Sequence, residues 1–161
     1  MKKIEEPNEL GPYLASFKIS GAEICSKTGL SKSDLSKLSS GITSRLTADK
    51  FYLINKAVKA DLKNMLMEVF PKAKLVLDWK KDIANKKQEK TSTPLGFLLL
   101  KEENSRAIIS AKTGITIDRL RNLSNKSNSE LLAIELYLIE MALSKVPGTI
   151  FEEIFGDKEV M

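Results

Sequence analysis

Apolar residues recur along this chain at helical spacing and break off at glycine and proline, and no stretch alternates strictly enough to predict a strand. Phe51, Ile54 and Val58 mark one helix, about residues 47–59, and Leu35 and Leu38 mark a shorter one, about 32–40. Ser20 and Ser31 stand where helices begin, because a serine hydroxyl satisfies an unpaired N–H of the first turn. Gly29 stands where a helix ends in a left-handed residue, a conformation without penalty for glycine. Leu75, Trp79 and Ile83 are spaced i, i+4, i+8 and predict a further amphipathic helix, with Trp79 docking it onto the rest of the molecule.

The pattern repeats. Shifting the sequence by 85 positions aligns residues 10–70 with 95–155 without a gap, and 21 of 61 positions are identical, where chance gives roughly four. Lys27-Thr28-Gly29-Leu30-Ser31 matches Lys112-Thr113-Gly114-Ile115-Thr116, and Tyr52-Leu53-Ile54 matches Tyr137-Leu138-Ile139. Each copy therefore reads as five short helices: about 9–18, 21–28, 32–40, 47–59 and 62–70 in the first, and 94–103, 106–113, 117–125, 130–144 and 147–155 in the second. The expected organisation is all-α: a first domain over 1–71, a partly helical, basic linker over 72–93, and a second domain over 94–161.

Composition narrows the chemistry. The chain has no histidine, which removes Ser-His and Cys-His catalysis and histidine-ligated metals. Its one cysteine, Cys25, can form neither an internal disulfide nor a thiolate zinc site, so a reduced, cytoplasmic setting is expected. Residues 1–7 show no apolar core of a secretory signal, and no apolar run approaches the length of a membrane span. Glu152 and Glu153 are adjacent and do not share a helix face, and no glycine-rich phosphate loop is present. No enzyme activity, metal or cofactor is expected. The net charge of +5 is uneven: residues 1–90 hold 18 Lys+Arg against 11 Asp+Glu, whereas residues 91–161 hold 8 against 10. The basic half points to a polyanionic partner.

Two helices joined at a steep angle by a glycine turn, the second burying one stripe and exposing the other, can lay that exposed face into a DNA groove. Gly29 supplies such a turn, and Cys25 (Ser110 in the second copy) supplies a small residue on the preceding helix. Leu30, Leu35 and Leu38 form the stripe to be buried, leaving Lys32, Ser33, Ser36, Lys37 and Ser40 outward. Residues 20–41, SGAEICSKTGLSKSDLSKLSSG, with Leu53-Ile54-Asn55-Lys56-Ala57-Val58 and 66–70 after them, resemble the phage-repressor-like (lambda-repressor-like) helix-turn-helix proteins, also called the xenobiotic-response-element family. The resemblance covers about 60 residues in each copy and rests on a loose apolar pattern. It implies tandem five-helix units whose third helix contacts bases or phosphates through Lys32, Ser33 and Lys37, with Ser31 both capping that helix and contacting phosphate. Ser36 belongs to the same face. Two departures stand out: Gly21 and Arg106 replace the family's phosphate-binding glutamine, and Thr28 and Thr113 replace an apolar residue before the turn.

In the second copy the outward positions are Ile117, Asp118, Arg121 and Asn122, with Arg119 beside them. Arg119, Arg121 and Asn122 suit DNA, Asp118 repels phosphate, and Ile117 suits an apolar partner. Three readings follow. Both copies bind double-stranded DNA as a covalent pseudo-dimer; or the first binds while the second recruits a protein or a second chain; or neither binds and the repeat is an interaction scaffold of antitoxin or adaptor type. The leading expectation is a transcriptional regulator. Tyr52, Tyr137, Met65 and Met67 are expected in the core.

Overall fold

The computed structural model describes residues 8–43, 46–73, 106–125 and 131–156, and these are helical with no strand among them. The first body contains α1 (Leu10–Ala15), α2 (Gly21–Thr28), α3 (Lys32–Ser39), α4 (Ala48–Val58) and α5 (Leu62–Val69). The second contains α6 (Arg106–Thr113), α7 (Ile117–Asn125), α8 (Ala133–Ala142) and α9 (Thr149–Phe155). The helices expected near 75–83 and 94–103 lie outside the described residues, with Trp79 and most of the linker. No helix among the described residues is long and apolar enough to cross a membrane.

Local chemistry explains the boundaries. The hydroxyls of Ser20, Ser31 and Thr116 accept the backbone N–H of Glu23, Asp34 and Arg119 at 3.1, 3.0 and 3.1 Å, starting α2, α3 and α7. Gly29 and Gly114 end α2 and α6 in the left-handed region, at φ 80° and 82°. The threonines before them have a purpose that an apolar residue could not serve. The Thr28 hydroxyl donates to the Ile24 carbonyl and accepts the Leu30 N–H, at 2.8 and 3.3 Å. Thr113 repeats this with Ile109 and Ile115 at 2.7 and 3.1 Å. Each hydroxyl thus links the last helical turn to the residue after the glycine.

The repeat also preserves an unexpected backbone feature. Lys59 and Ser144, 85 positions apart, both take φ 57° after α4 and α8, a conformation costly for residues with a Cβ. Identical strain at equivalent positions of different residue type shows that the chain path, not the side chain, was kept.

The two bodies share one core, built as a quasi-two-fold interface. Ala48 N–H donates to the Leu131 carbonyl at 2.7 Å, and Ala133 N–H donates to the Leu46 carbonyl at 2.9 Å. These bonds exchange under the 85-residue shift, and Thr47 and Leu132 form an isolated antiparallel bridge between equivalent positions. The aromatic contacts are reciprocal too: Tyr52 meets Phe155 at 5.8 Å between ring centres, and Tyr137 meets Phe70 at 6.3 Å. Such reciprocity is the mark of an isologous dimer interface, here within a single chain. Phe51, tucked between Phe70 and Phe151 at 5.9 and 5.7 Å, joins the bodies into one apolar cluster. Each such buried side chain contributes about 1.5–3 kcal/mol through removal from water.

Of the residues expected in the core, Tyr52, Tyr137 and Met65 are buried, but Met67 is 40% exposed and lies at the seam between the bodies.

Candidate nucleic-acid interface

The outward face of α3 is organised by what holds its other side. Leu35 and Leu38 are buried and Leu30 is half-buried, so the helix is fixed along that stripe. Gly11 of α1 lies against the end of α3, where an added Cβ would come 2.3 Å from the Ser39 carbonyl oxygen. Asn8 secures the loop that follows: its N–H donates to the Gly41 carbonyl at 2.9 Å, and its Nδ2 donates to the Thr43 hydroxyl at 3.2 Å. Neither Gly11 nor Asn8 was expected to matter from sequence, although the identity of Gly11 with Gly96 was visible there.

Ser31, Lys32, Ser33, Ser36, Lys37 and Ser40 are all exposed. Among the described residues no carboxylate pairs with Lys32 or Lys37. Asp34 is exposed on the first turn, where its charge complements the positive helix end. This face combines short hydroxyl side chains with two unneutralised ammonium groups, a combination able to approach a groove closely and bind phosphate or base acceptors.

The equivalent residues of the second body are disposed differently. Arg119 turns towards α8 and grips Glu135 with two bonds, Nε to Oε2 and Nη2 to Oε1, both 2.8 Å. Glu135 is buried, and its Oε1 also accepts the Leu132 N–H at 3.0 Å, capping α8. A forked pair with a buried carboxylate is among the stronger polar contacts, so Arg119 is a strut between α7 and α8. Arg121 is exposed and pairs with Asp118 at 2.7 Å, a surface contact worth little. Asn122 is half-buried, and Ile117 is 43% exposed at the start of the helix. Arg106, at the start of α6, is only 8% exposed.

Sequence reasoning missed Glu135, yet a signal was there. Between the copies Asp34 becomes Arg119 and Lys50 becomes Glu135, so two positions change sign together. In the first body Asp34 and Lys50 form no ion pair.

Two further polar groups sit at the seam. The Tyr52 hydroxyl donates to Glu152 Oε2 at 2.7 Å, and Lys56 Nζ donates to Glu152 Oε1 at 3.2 Å, so α4 and α9 are joined across the bodies. Burial, then the hydrogen bond to the Glu152 carboxylate, raises the Tyr52 phenol above its ordinary value. Burial works against the Lys56 ammonium, but the hydrogen bonds to Glu152 and Tyr52 outweigh it and raise its pKa.

Glu140 of α8 is 0% exposed and accepts the N–H groups of Gly148 and Ile150 at 3.0 and 2.7 Å, at the start of α9. Burial pushes its carboxyl up to about 7, against the lowering effect of those bonds.

No family model matches the chain, and no match was found among curated proteins or solved structures.

Proposed function

We propose that the chain is a DNA-binding transcriptional regulator of helix-turn-helix type, in which α3 enters the major groove. The observation that carries this reading is the α3 face itself: Ser31, Lys32, Ser33, Ser36 and Lys37 exposed together, with Leu35 and Leu38 buried behind them. The charge of the chain supports it, since the excess of lysine and arginine lies in the half that contains α3. On this reading Lys32 and Lys37 neutralise phosphates or reach guanine acceptors, the serines allow close approach, and no catalytic step, metal or cofactor is involved.

The second body fits a supporting role better than an equal one. Arg119 is engaged by Glu135, Asp118 lies on the outer face, and Ile117 offers an apolar contact. It completes the quasi-dimer and presents a surface for a protein partner or a second chain. The alternative, a protein-interaction module of antitoxin or adaptor type, takes Ile117 and its surroundings as the working face.

Titration of labelled genomic fragments at two salt concentrations tests the reading. Binding should weaken steeply with salt, and joint replacement of Lys32 and Lys37 by alanine should weaken it about tenfold or more. Binding indifferent to salt, or silent replacements, would remove α3 as the recognition helix. Co-purification of a stoichiometric protein without nucleic acid, lost on Ile117→Asp, would favour the alternative.

A further inference from the structure

We infer that the chain reads a non-palindromic duplex through a single half-site: α3 lies in one segment of major groove, and α7, its quasi-two-fold equivalent, contacts no base edge. This rests on the reading of α3 as a recognition helix and adds the class of DNA that such a helix takes here.

An isologous pair of recognition helices reads an inverted repeat, because the protein's symmetry is copied into the operator, with half-sites about 34–36 Å apart. The backbone of this chain has that symmetry. The bonds from Ala48 to Leu131 and from Ala133 to Leu46 exchange under the 85-residue shift, so α3 and α7 hold equivalent places. Their outer faces do not match. Lys32, Ser33, Asp34, Ser36 and Lys37 of α3 become Ile117, Asp118, Arg119, Arg121 and Asn122 of α7, and Lys50 of α4 becomes Glu135 of α8.

Charge decides what each face can approach. Around α3, Lys32, Lys37 and the half-buried Lys50 stand against the single carboxylate of Asp34, and no ion pair among the described residues joins any of them. Around α7, two arginines meet two carboxylates. Arg119 is held by the buried Glu135 through two bonds of 2.8 Å, and Arg121 lies 2.7 Å from Asp118. To reach a base, Arg119 would have to leave a buried carboxylate without its partner, which is costly. Arg121 could reach a phosphate only by carrying Asp118, whose side chain is 86% exposed, towards the same backbone. Ile117 offers no hydrogen bond, and Asn122 is half-buried where Lys37 is exposed. The frame is that of a dimer, and the unbalanced positive charge is that of one reader.

Selection of duplexes from a randomised library by the full chain tests this. The recovered sequences should share one cluster of specified bases, with one chain bound per duplex and no second cluster a helical turn, about 10 base pairs, away. Scrambling the bases one turn to either side of that cluster should change affinity by less than about twofold. Giving α3 two residues of α7, Lys32→Ile with Lys37→Asn, should weaken binding to the selected duplex about tenfold or more. Two specified clusters a turn apart, or a loss of about tenfold on scrambling a flank, overturns the single half-site and leaves α3 as a reader. Recovery of no common sequence, or unchanged affinity in the folded double variant, removes α3 as the recognition helix and this inference with it.

Discussion

Asn55 of α4 and Glu140 of α8 occupy the same position of the repeat, both buried, and each supports the approach to the helix that follows. Asn55 does so without charge, its Nδ2 donating to the Ala60 carbonyl at 3.1 Å and to Met65 Sδ at 3.4 Å. The start of α5 is then capped at the surface by Asp61, which accepts the Asn64 N–H at 3.0 Å. In the second copy Val146 stands in place of Asp61, and a valine accepts nothing. Pro147 and Gly148 follow, and α9 begins at Thr149, two positions later in the repeat than α5. Glu140 supplies the missing acceptor from inside the core. One requirement, the unpaired N–H groups of a helix start, is met once by a solvated local cap and once by a buried carboxylate. The second solution carries a desolvation cost that the first avoids.

The third helices differ in a similar way. The charged partner of α7 is internal, with Arg119 on Glu135, whereas α3 leaves Lys32 and Lys37 on its surface. Polar groups in the second body are spent on holding its parts together, and those of α3 remain available to a partner.

The largest effect expected from this difference is on pH dependence. Glu140 titrates near 7 in the folded chain against an ordinary value of 4.5. A raised carboxyl favours the folded state while protonated, so its contribution is fully present below pH 4.5 and is lost as pH rises through 7. Stability should fall by up to roughly 3 kcal/mol across that window, and Glu140→Gln should flatten the decline in urea midpoints between pH 5 and 8. Asn55→Ala should leave the slope intact; an unchanged slope in Glu140→Gln would remove Glu140 as its source.

Next, Arg119→Ala strands the buried Glu135 carboxylate and should cost about 2 kcal/mol, below the range for fully buried pairs because Arg119 is partly exposed. The equivalent Asp34→Ala should stay within about 0.5 kcal/mol. Equal losses would show that the two third helices are held alike. Tyr52→Phe removes the hydroxyl bond to Glu152 and should cost about 1 kcal/mol by thermal denaturation, leaving the Lys56–Glu152 pair in place. The smallest effect tests the symmetry itself. Lys59→Gly and Ser144→Gly should each stabilise by about 0.5 kcal/mol, since relief of a left-handed residue outweighs the added freedom of the unfolded chain. Opposite signs at the two positions would contradict the common backbone path.

Much of this was legible in the residues. The caps Ser20, Ser31 and Thr116, the turns at Gly29 and Gly114, and the buried pairs Leu35/Leu120 and Leu38/Leu123 stand where spacing predicts them. The exposure of Lys32, Ser33, Ser36 and Lys37 follows from the same helical period. The engagement of Arg119, the burial of Glu140 and the exposure of Met67 do not, because each depends on a neighbour distant in the sequence.

Short-range rules were enough for the duplication and for the bounds of α2, α3, α6 and α7, since capping, glycine turns and apolar period act within a few residues. That the copies close on each other as a quasi-dimer was set by packing between distant segments. The same packing decided which charges turn inward. Those outcomes are set by burial, and burial belongs to pairs of elements such as Tyr52 with Phe155 or Arg119 with Glu135, not to any one segment of the chain.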